Sequence, residues 1–295
     1  MSSEKRITML NIGIIGNTEV LEPHVKRIQK NKDVNVIGKA SVGTSAQLNG
    51  FHFSIPELNR VELIERADIL LVDNSSRLPF KLLFDMVRKS KHIFITQYLS
   101  LTPDECSQLV KLANESGSII QVTNPFFYSY AIQWLNSNIN SPIFLNISKY
   151  TVNLPLREAL FQLLFMVAGV TGISPKKVSV SAFKSEKEEI DFANIRLDFS
   201  NASVVNINFG SNLTEDEFEI KGYAKTQNIL FDFKNNTFIF NSNPINFPDK
   251  QPVNEFYLFV ESIQNKNQNS SNIEDYLSAT QLLEIVEKKF AQFID

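Results

Sequence analysis

A strand that ends in glycine and feeds a helix can cradle a phosphate, and this chain offers one such place. Gly13-Ile14-Ile15-Gly16 runs into Asn17-Thr18-Glu19-Val20-Leu21. A dinucleotide turn of the form G-x-G-x-x-G asks for three glycines. The first makes the tight turn, the second lets backbone N–H groups approach the pyrophosphate, and the third lets helix and strand pack closely. Here Gly16 supplies the first, while Thr18 and Leu21 stand at the other two. Glu19 adds a carboxylate at the helix start, where a bound pyrophosphate would meet a like charge. The second strand of such a unit ends in an acid that hydrogen-bonds ribose hydroxyls; this one ends in Lys39-Ala40-Ser41. Amides at Asn17 and Thr18 can still meet a phosphate, and Lys39 with Ser41 suits a 2′-phosphate. Gly13, Gly16, Asn17, Thr18 and Ser41, with Asn74 and Ser75 after the third strand, are the candidate cofactor contacts, for NAD or NADP.

The elements that must position them follow from periodicity. Apolar runs at Ile7–Ile15, Val34–Ala40, Asp68–Val72, Ile93–Ile95 and Ile119–Val122 alternate with helical spacings. The helices are expected over Val20–Gln29, Pro56–Arg66, Pro79–Lys89 and Pro103–Asn114, the last opened by Thr102 with Glu105 as a capping box. Strands apolar throughout, separated by amphipathic helices, predict a doubly wound parallel sheet over residues 1–123. After Asn124-Pro125 the pattern changes. Helices at Ser129–Asn136 and Leu156–Val170 are followed by alternating pairs, Ile195–Phe199 with Val205–Phe209, and Ile229–Phe233 with Phe238–Phe240. Asn241–Asn254 and Asn265–Asn272 read as loops, and Ile273–Ile294 as a closing helix that can pack back on the first domain. Residues 124–295 thus form an α+β domain with a mostly antiparallel open sheet.

Composition narrows the partners. The 295 residues carry a formal charge of -3, with 43% hydrophobic and 21% charged residues, which suits two globular domains. That balance argues against nucleic acid, which needs a basic excess. No apolar run reaches the roughly 18 residues of a membrane span. Cys106 is the one cysteine and reads as a small core residue; with no secretory pattern, a cytoplasmic setting is expected. His24 reads as a packing residue on the first helix, and His52 and His92 lack the neighbours of a metal site.

Over nearly its whole length the chain resembles the Gfo/Idh/MocA family of sugar oxidoreductases. Gly16 and His24 stand at that family's spacing of turn glycine and histidine. Asn74-Ser75-Ser76-Arg77-Leu78-Pro79, then Ser90-Lys91-His92, occupy the places of Thr-Pro-Asn-x-x-His and Gly-Lys-His. Thr96-Gln97-Tyr98 and Leu101-Thr102-Pro103-Asp104-Glu105 follow where the family has Glu-Lys-Pro and Leu-Thr-x-x-Glu. Gly172, Pro175 and Val178 match the segment after the substrate-site helix, and Phe259–Phe293 resembles the closing loop and helix. The resemblance implies a Rossmann-like first domain, a second domain for substrate and dimerisation, and NAD(P) chemistry on a hydroxyl group.

In that family a lysine of Glu-Lys-Pro approaches the substrate hydroxyl, and a histidine four residues after an aspartate serves as acid/base. Aligned on Gly172, these positions hold Gln97, Gln162 and Glu158; aligned on Gly169 they fall at Ala159 and Pro155 and lose the agreement at Pro175 and Val178. Hydride removal from an alcohol needs a base to take the hydroxyl proton. Glutamine cannot, which leaves Glu158 as the one ionisable group of the three. Two readings follow. One is a catalytically degenerate member that binds a small sugar-like ligand or serves as a scaffold. The other is an active NAD(P)-dependent oxidoreductase acting on a sugar or polyol, with Glu158 as base. The resemblance also implies a homodimer through the second domain's sheet, for which Phe199, Ile207 and Phe209 are the candidate contacts.

Overall fold

Five apolar runs make the first sheet. β1 (Leu10–Ile15), β2 (Val34–Ala40), β3 (Ile69–Val72), β4 (His92–Ile95) and β5 (Ile120–Val122) pair in parallel in the order β2-β1-β3-β4-β5. The structure is a computed structural model and describes residues 9–16, 18–28, 33–40, 55–73, 78–152, 156–184, 190–210, 215–247, 254–265 and 271–293. Between the strands run α1 (Thr18–Ile28), α2 (Arg60–Arg66), α3 (Phe80–Arg88) and α4 (Pro103–Ser116). α4 begins at the expected capping box: the Glu105 amide donates to Thr102 Oγ1 at 3.2 Å, and the Thr102 amide to Glu105 Oε2 at 2.9 Å. α2 starts later than its periodicity suggests. Residues 55–59 instead lie along β2, with Lys39 N–H donating to the Pro56 carbonyl and Leu58 N–H to the Lys39 carbonyl, and the Asn59 side chain then caps the helix.

By contacts the chain divides into one unit of Met1–Thr123 with Asn254–Leu277, and another of Asn124–Val253 with Ser278–Asp295. The return of a later segment to the first unit has a clear physical cause. α7 (Glu255–Asn265), in a stretch for which no helix is expected from sequence, carries Phe256, Phe259 and Val260 on one stripe. These fill one core with Ile12, Ile14, Leu21, Val25, Leu71 and Phe94. The Phe94 ring meets Phe256 edge-on at 5.2 Å and Phe259 at 5.5 Å. Aromatic contacts of this kind add to the burial of large side chains. α8 (Ile273–Phe290) starts in this unit, where the buried Tyr276 hydroxyl donates to the Leu99 carbonyl at 2.5 Å and accepts from the Leu99 amide at 2.9 Å.

The second unit is built on a mixed sheet of eight strands. These are β6 (Phe144–Tyr150), β7 (Lys177–Lys184), β8 (Ile190–Asp198), β9 (Val204–Gly210), β10 (Glu217–Ala224), β11 (Gln227–Asp232), β12 (Thr237–Phe240) and β13 (Asn243–Pro244). Their order is β13-β12-β11-β10-β6-β9-β8-β7, antiparallel except for the β6–β9 pair. β6, β7 and β10 add to the strands expected from sequence, and their polar residues fall at alternate positions as in a sheet with one buried face. Two further helices, α5 (Tyr130–Asn138) and α6 (Leu156–Thr171), belong to this unit. α6 is buried on most sides, from Ala159 through Val167 with Gln162 half-buried.

Cys106 is buried on α4, and the His24 ring lies 6.1 Å from Phe94 in the core, as packing residues. His92 opens β4, and its Nδ1 accepts the Ile119 amide at 3.0 Å. Burial pushes its pKa below the ordinary value of 6.5, against the opposing pull of Asp68. A depressed folded pKa stabilises the fold above the unfolded value and loses that contribution as pH falls through the folded one. Thermal stability is therefore expected to decline below pH 6.5. His92→Asn, whose Oδ1 can keep the bond to Ile119 without titrating, should flatten that decline in melts across pH 5 to about 8. An unchanged decline in the variant would remove His92 as its source.

Candidate functional site

The first sheet reverses its strand order between β1 and β3, and ligands of open α/β sheets bind outside the carboxyl ends at that point. Here the ends of β1 and β3 approach closely. Gly16 has φ +119°, and a Cβ placed on it would lie 2.4 Å from the Asp73 carbonyl oxygen. Asp73 is 1% exposed; its amide donates to the Ile15 carbonyl at 2.9 Å, and Oδ1 accepts from Thr96 Oγ1 at 2.7 Å. The edge thus presents a buried carboxylate tied across to β4. Gly13 has a packing role too, since its Cβ position lies about 3.0 Å from Leu63 of α2. Leu21, at the third glycine position of the turn, is fully buried in the core with Ile12 and Ile14 and fills the space between helix and sheet.

Thr18 is the first residue of α1, and the other candidate contacts Asn17, Ser41, Asn74 and Ser75 lie outside the described residues. Gln97 follows β4 and is exposed. Its neighbour Tyr98 faces Tyr276 at 6.5 Å, and the Leu99 backbone is clamped by the Tyr276 hydroxyl. Asp73 is a site residue that sequence reasoning missed. An acid ending the apolar run Ile69–Val72 reads as the first loop residue, and its burial shows only once Gly16 and Thr96 are brought against it.

In the second unit the structure brings Glu158 and Gln162 together. They stand one turn apart on α6, both half-buried, with Gln162 Nε2 donating to Glu158 Oε1 at 3.4 Å. Arg157, beside them on the exposed side, pairs with Glu287 of α8 at 2.7 Å. Lys149 is a second residue missed from sequence. It occupies an inward position of β6 after Leu145 and Ile147, and is 7% exposed. Burial lowers its pKa from the usual lysine value, with Asp216 pulling the other way. Among the described residues no group of three or more His, Cys, Asp and Glu is placed to hold a metal ion, and no helix is long and apolar enough to cross a membrane.

The outer face of this sheet corrects an expectation. Phe199, Ile207 and Phe209 are 6%, 0% and 2% exposed and belong to the unit's core, so they cannot form a dimer contact. Side chains alternate along each strand, and the outward positions carry a polar row instead. Asn194 Nδ2 donates to Asn208 Oδ1 at 2.8 Å, and Asn208 Nδ2 to Asn146 Oδ1 at 3.2 Å. Aromatic pairs flank it, Phe144 with Tyr223 at one end and Tyr150 with Phe192 at the other. A polar cleft of about 250 Å³ opens beside it, lined by Ser148, Tyr150, Glu217, Glu219, Asp232 and Lys234. Lys234 is engaged there by Glu215 and Glu217, and burial, then Glu217, raises the Tyr150 pKa. The cleft can hydrogen-bond hydroxyls, but its carboxylates oppose an anion.

A five-stranded parallel sheet followed by a large, mostly antiparallel one is the fold of the Gfo/Idh/MocA-type dehydrogenases. Solved structures bear this out. The chain is similar to UDP-N-acetylglucosamine 3-dehydrogenase GnnA from Acidithiobacillus ferrooxidans, at 15% identity over 97% of this chain and 99% of that one, with TM-scores of 0.78 and 0.81 in two crystal forms. It is similar also to a dehydrogenase, MviM, from Clostridium difficile, at 13% identity over 95% and 99% of the two chains, with a TM-score of 0.77. A dehydrogenase from Chromobacterium violaceum matches at 13% identity over 96% and 95%, with a TM-score of 0.80. No family model and no curated protein matches the sequence.

The junction of β1 and β3 can be tested directly. Gly16→Ala forces a Cβ against the Asp73 backbone at a φ that L-residues disfavour, which should cost at least about 2 kcal/mol in denaturant unfolding. A neutral substitution would mean that this edge is looser than described.

Proposed function

We propose that the protein is a divergent relative of the Gfo/Idh/MocA oxidoreductases that binds a small hydroxyl-bearing ligand and does not carry out hydride transfer. The observation that carries this reading is the Glu158–Gln162 pair. At the helix positions where the resembling family keeps its acid/base histidine and its carboxylate partner, this chain has an amide hydrogen-bonded to a carboxylate. The third family position holds Gln97, exposed and equally unable to accept a proton in the working range.

The described residues of the first turn do not fit a dinucleotide. Leu21 occupies the helix–sheet space that a glycine would clear, Gly16 is committed to the Asp73 backbone, and a buried carboxylate stands at the edge a pyrophosphate would use. What the fold retains is a sheet edge with polar groups and a second unit with half-buried Glu158 and Gln162, which can hydrogen-bond ligand hydroxyls.

The test is a thermal-shift screen of simple sugars, polyols and nucleotide sugars, followed by an absorbance assay at 340 nm with NAD and NADP added. The expected result is a dose-dependent rise with at least one compound, since native-state binding stabilises by RT ln(1 + [L]/Kd), and no reduced cofactor. Turnover that disappears in Glu158→Gln would overturn this reading in favour of an active oxidoreductase with Glu158 as base.

A further inference from the structure

The pairing register puts two parallel rows of side chains on the outer face of the second sheet. In the first, Glu217 of β10 stands beside Tyr150 of β6, then Gly210 of β9, Phe192 of β8 and Phe183 of β7. Gly210 has no side chain, so the Tyr150 and Phe192 rings meet across it, stacked at 6.5 Å and 22°. The Phe192 ring in turn meets Phe183 at 6.2 Å and 35°. Two residues along each strand lies the second row, Glu219, Ser148, Asn208, Asn194 and Ser181, every member of which carries a hydrogen-bonding group. At the β10 end both rows run into the cleft of about 250 Å³ that Ser148, Tyr150, Glu217 and Glu219 line with Asp232 and Lys234. Cross-strand aromatic pairs stabilise sheets, and rings can cover a bare glycine, which accounts for Tyr150 and Phe192. It does not account for Phe183. That ring is 69% exposed on the edge strand β7, more than any other large apolar side chain among the described residues.

We propose that these two rows bind a neutral oligosaccharide of pyranose rings, laid across the strands from Phe183 to the cleft. The site is separate from Glu158 and Gln162, and the proposal goes beyond the reading given above without resting on it. A pyranose ring presents C–H groups on its faces and hydroxyls around its rim. The electron-rich faces of Phe183, Phe192 and Tyr150 suit the first. The asparagine and serine row suits the second, and the cleft carboxylates accept charge-assisted hydrogen bonds from hydroxyl groups. The charge of the cleft sets the class of sugar. Glu217, Glu219 and Asp232 line it against one ammonium, Lys234, which Glu215 already engages, so a phosphate or a uronic acid is opposed there. The length sets the number of rings. The first row crosses five neighbouring strands, four spacings of about 4.8 Å or roughly 19 Å, which suits a short chain of rings better than one.

The test uses the full chain labelled with 3-fluorotyrosine, the Tyr150 ¹⁹F signal being the one lost in Tyr150→Phe. Maltotetraose, cellotetraose, glucose and tetragalacturonate are added in turn at matched ionic strength, up to about 10 mM. The Tyr150 signal should move saturably with at least one of the two neutral tetraoses. Glucose should need a higher concentration for the same movement, and tetragalacturonate should cause none. Phe183 is exposed, so Phe183→Ala should leave Tm nearly unchanged while weakening the tetraose Kd by about three- to tenfold. Phe183→Tyr, which keeps the ring, should retain the affinity. A Tyr150 signal that answers neither neutral tetraose overturns the proposal, as does one that answers tetragalacturonate equally well. An unchanged Kd in Phe183→Ala does the same. So does a signal that moves with protein concentration alone, which would assign the face to a second copy of the chain. The readout is a signal on the outer face and not Tm or turnover, so failure here leaves the proposed function standing, and the reverse holds.

Discussion

The contact on which the first unit's functional edge depends is the approach of Gly16 to the backbone of Asp73. Two neighbouring strands leave their sheet within hydrogen-bond reach, closed by Asp73 N–H to Ile15 C=O at one end and by Thr96 Oγ1 to Asp73 Oδ1 at the other. A side chain at Gly16 would collide with that backbone. The glycine that looks like the first residue of a phosphate-binding turn is therefore already required by the strands. Once it is committed there, nothing about its presence argues for a dinucleotide. Leu21 and Gly13 tell the same story from either side of the sheet, one filling the space under α1 and the other admitting Leu63 of α2.

The second unit shows a comparable shift in use. Its sheet keeps an apolar inner face and an outer face of hydrogen-bonded asparagines, while its helix α6 keeps the position of a carboxylate and turns it toward a neighbouring amide. Where the resembling family pairs a carboxylate with histidine, Glu158 accepts a hydrogen bond from Gln162, which leaves Glu158 as the one ionisable group of the pair. Asp73 and Lys149 are buried at places where a fold gains little from charge.

Much of the first unit was legible because a parallel sheet buried on both faces writes itself as uninterrupted apolar runs. β2 begins and ends where its sequence pattern does, and the capping box at Thr102 marked the start of α4 to the residue. α7 was hidden by its setting, an eleven-residue helix directly after a proline-rich stretch, and its stripe of Phe256, Phe259 and Val260 gains meaning only against Phe94, far away in sequence. The parity of the second sheet was the costlier omission. Reading Leu145, Ile147 and Lys149 as one face would have exposed a buried cation, and reading Ile207 and Phe209 with Val205 would have put them in the core. The positions of Gln97, Glu158 and Gln162 were found through a family resemblance, and their local geometry had to come from the structure.

The proposed reading has the fold of the Gfo/Idh/MocA-type dehydrogenases without a dinucleotide site. The most direct measurement is isothermal titration of the full chain with NADH and NADPH. The expected result is no saturable binding at about 1 mM cofactor, an affinity weaker than roughly 4 kcal/mol. A one-to-one isotherm with a micromolar Kd for either cofactor would contradict it, and would mean that the closed edge at Gly16 and Asp73 opens to admit a pyrophosphate.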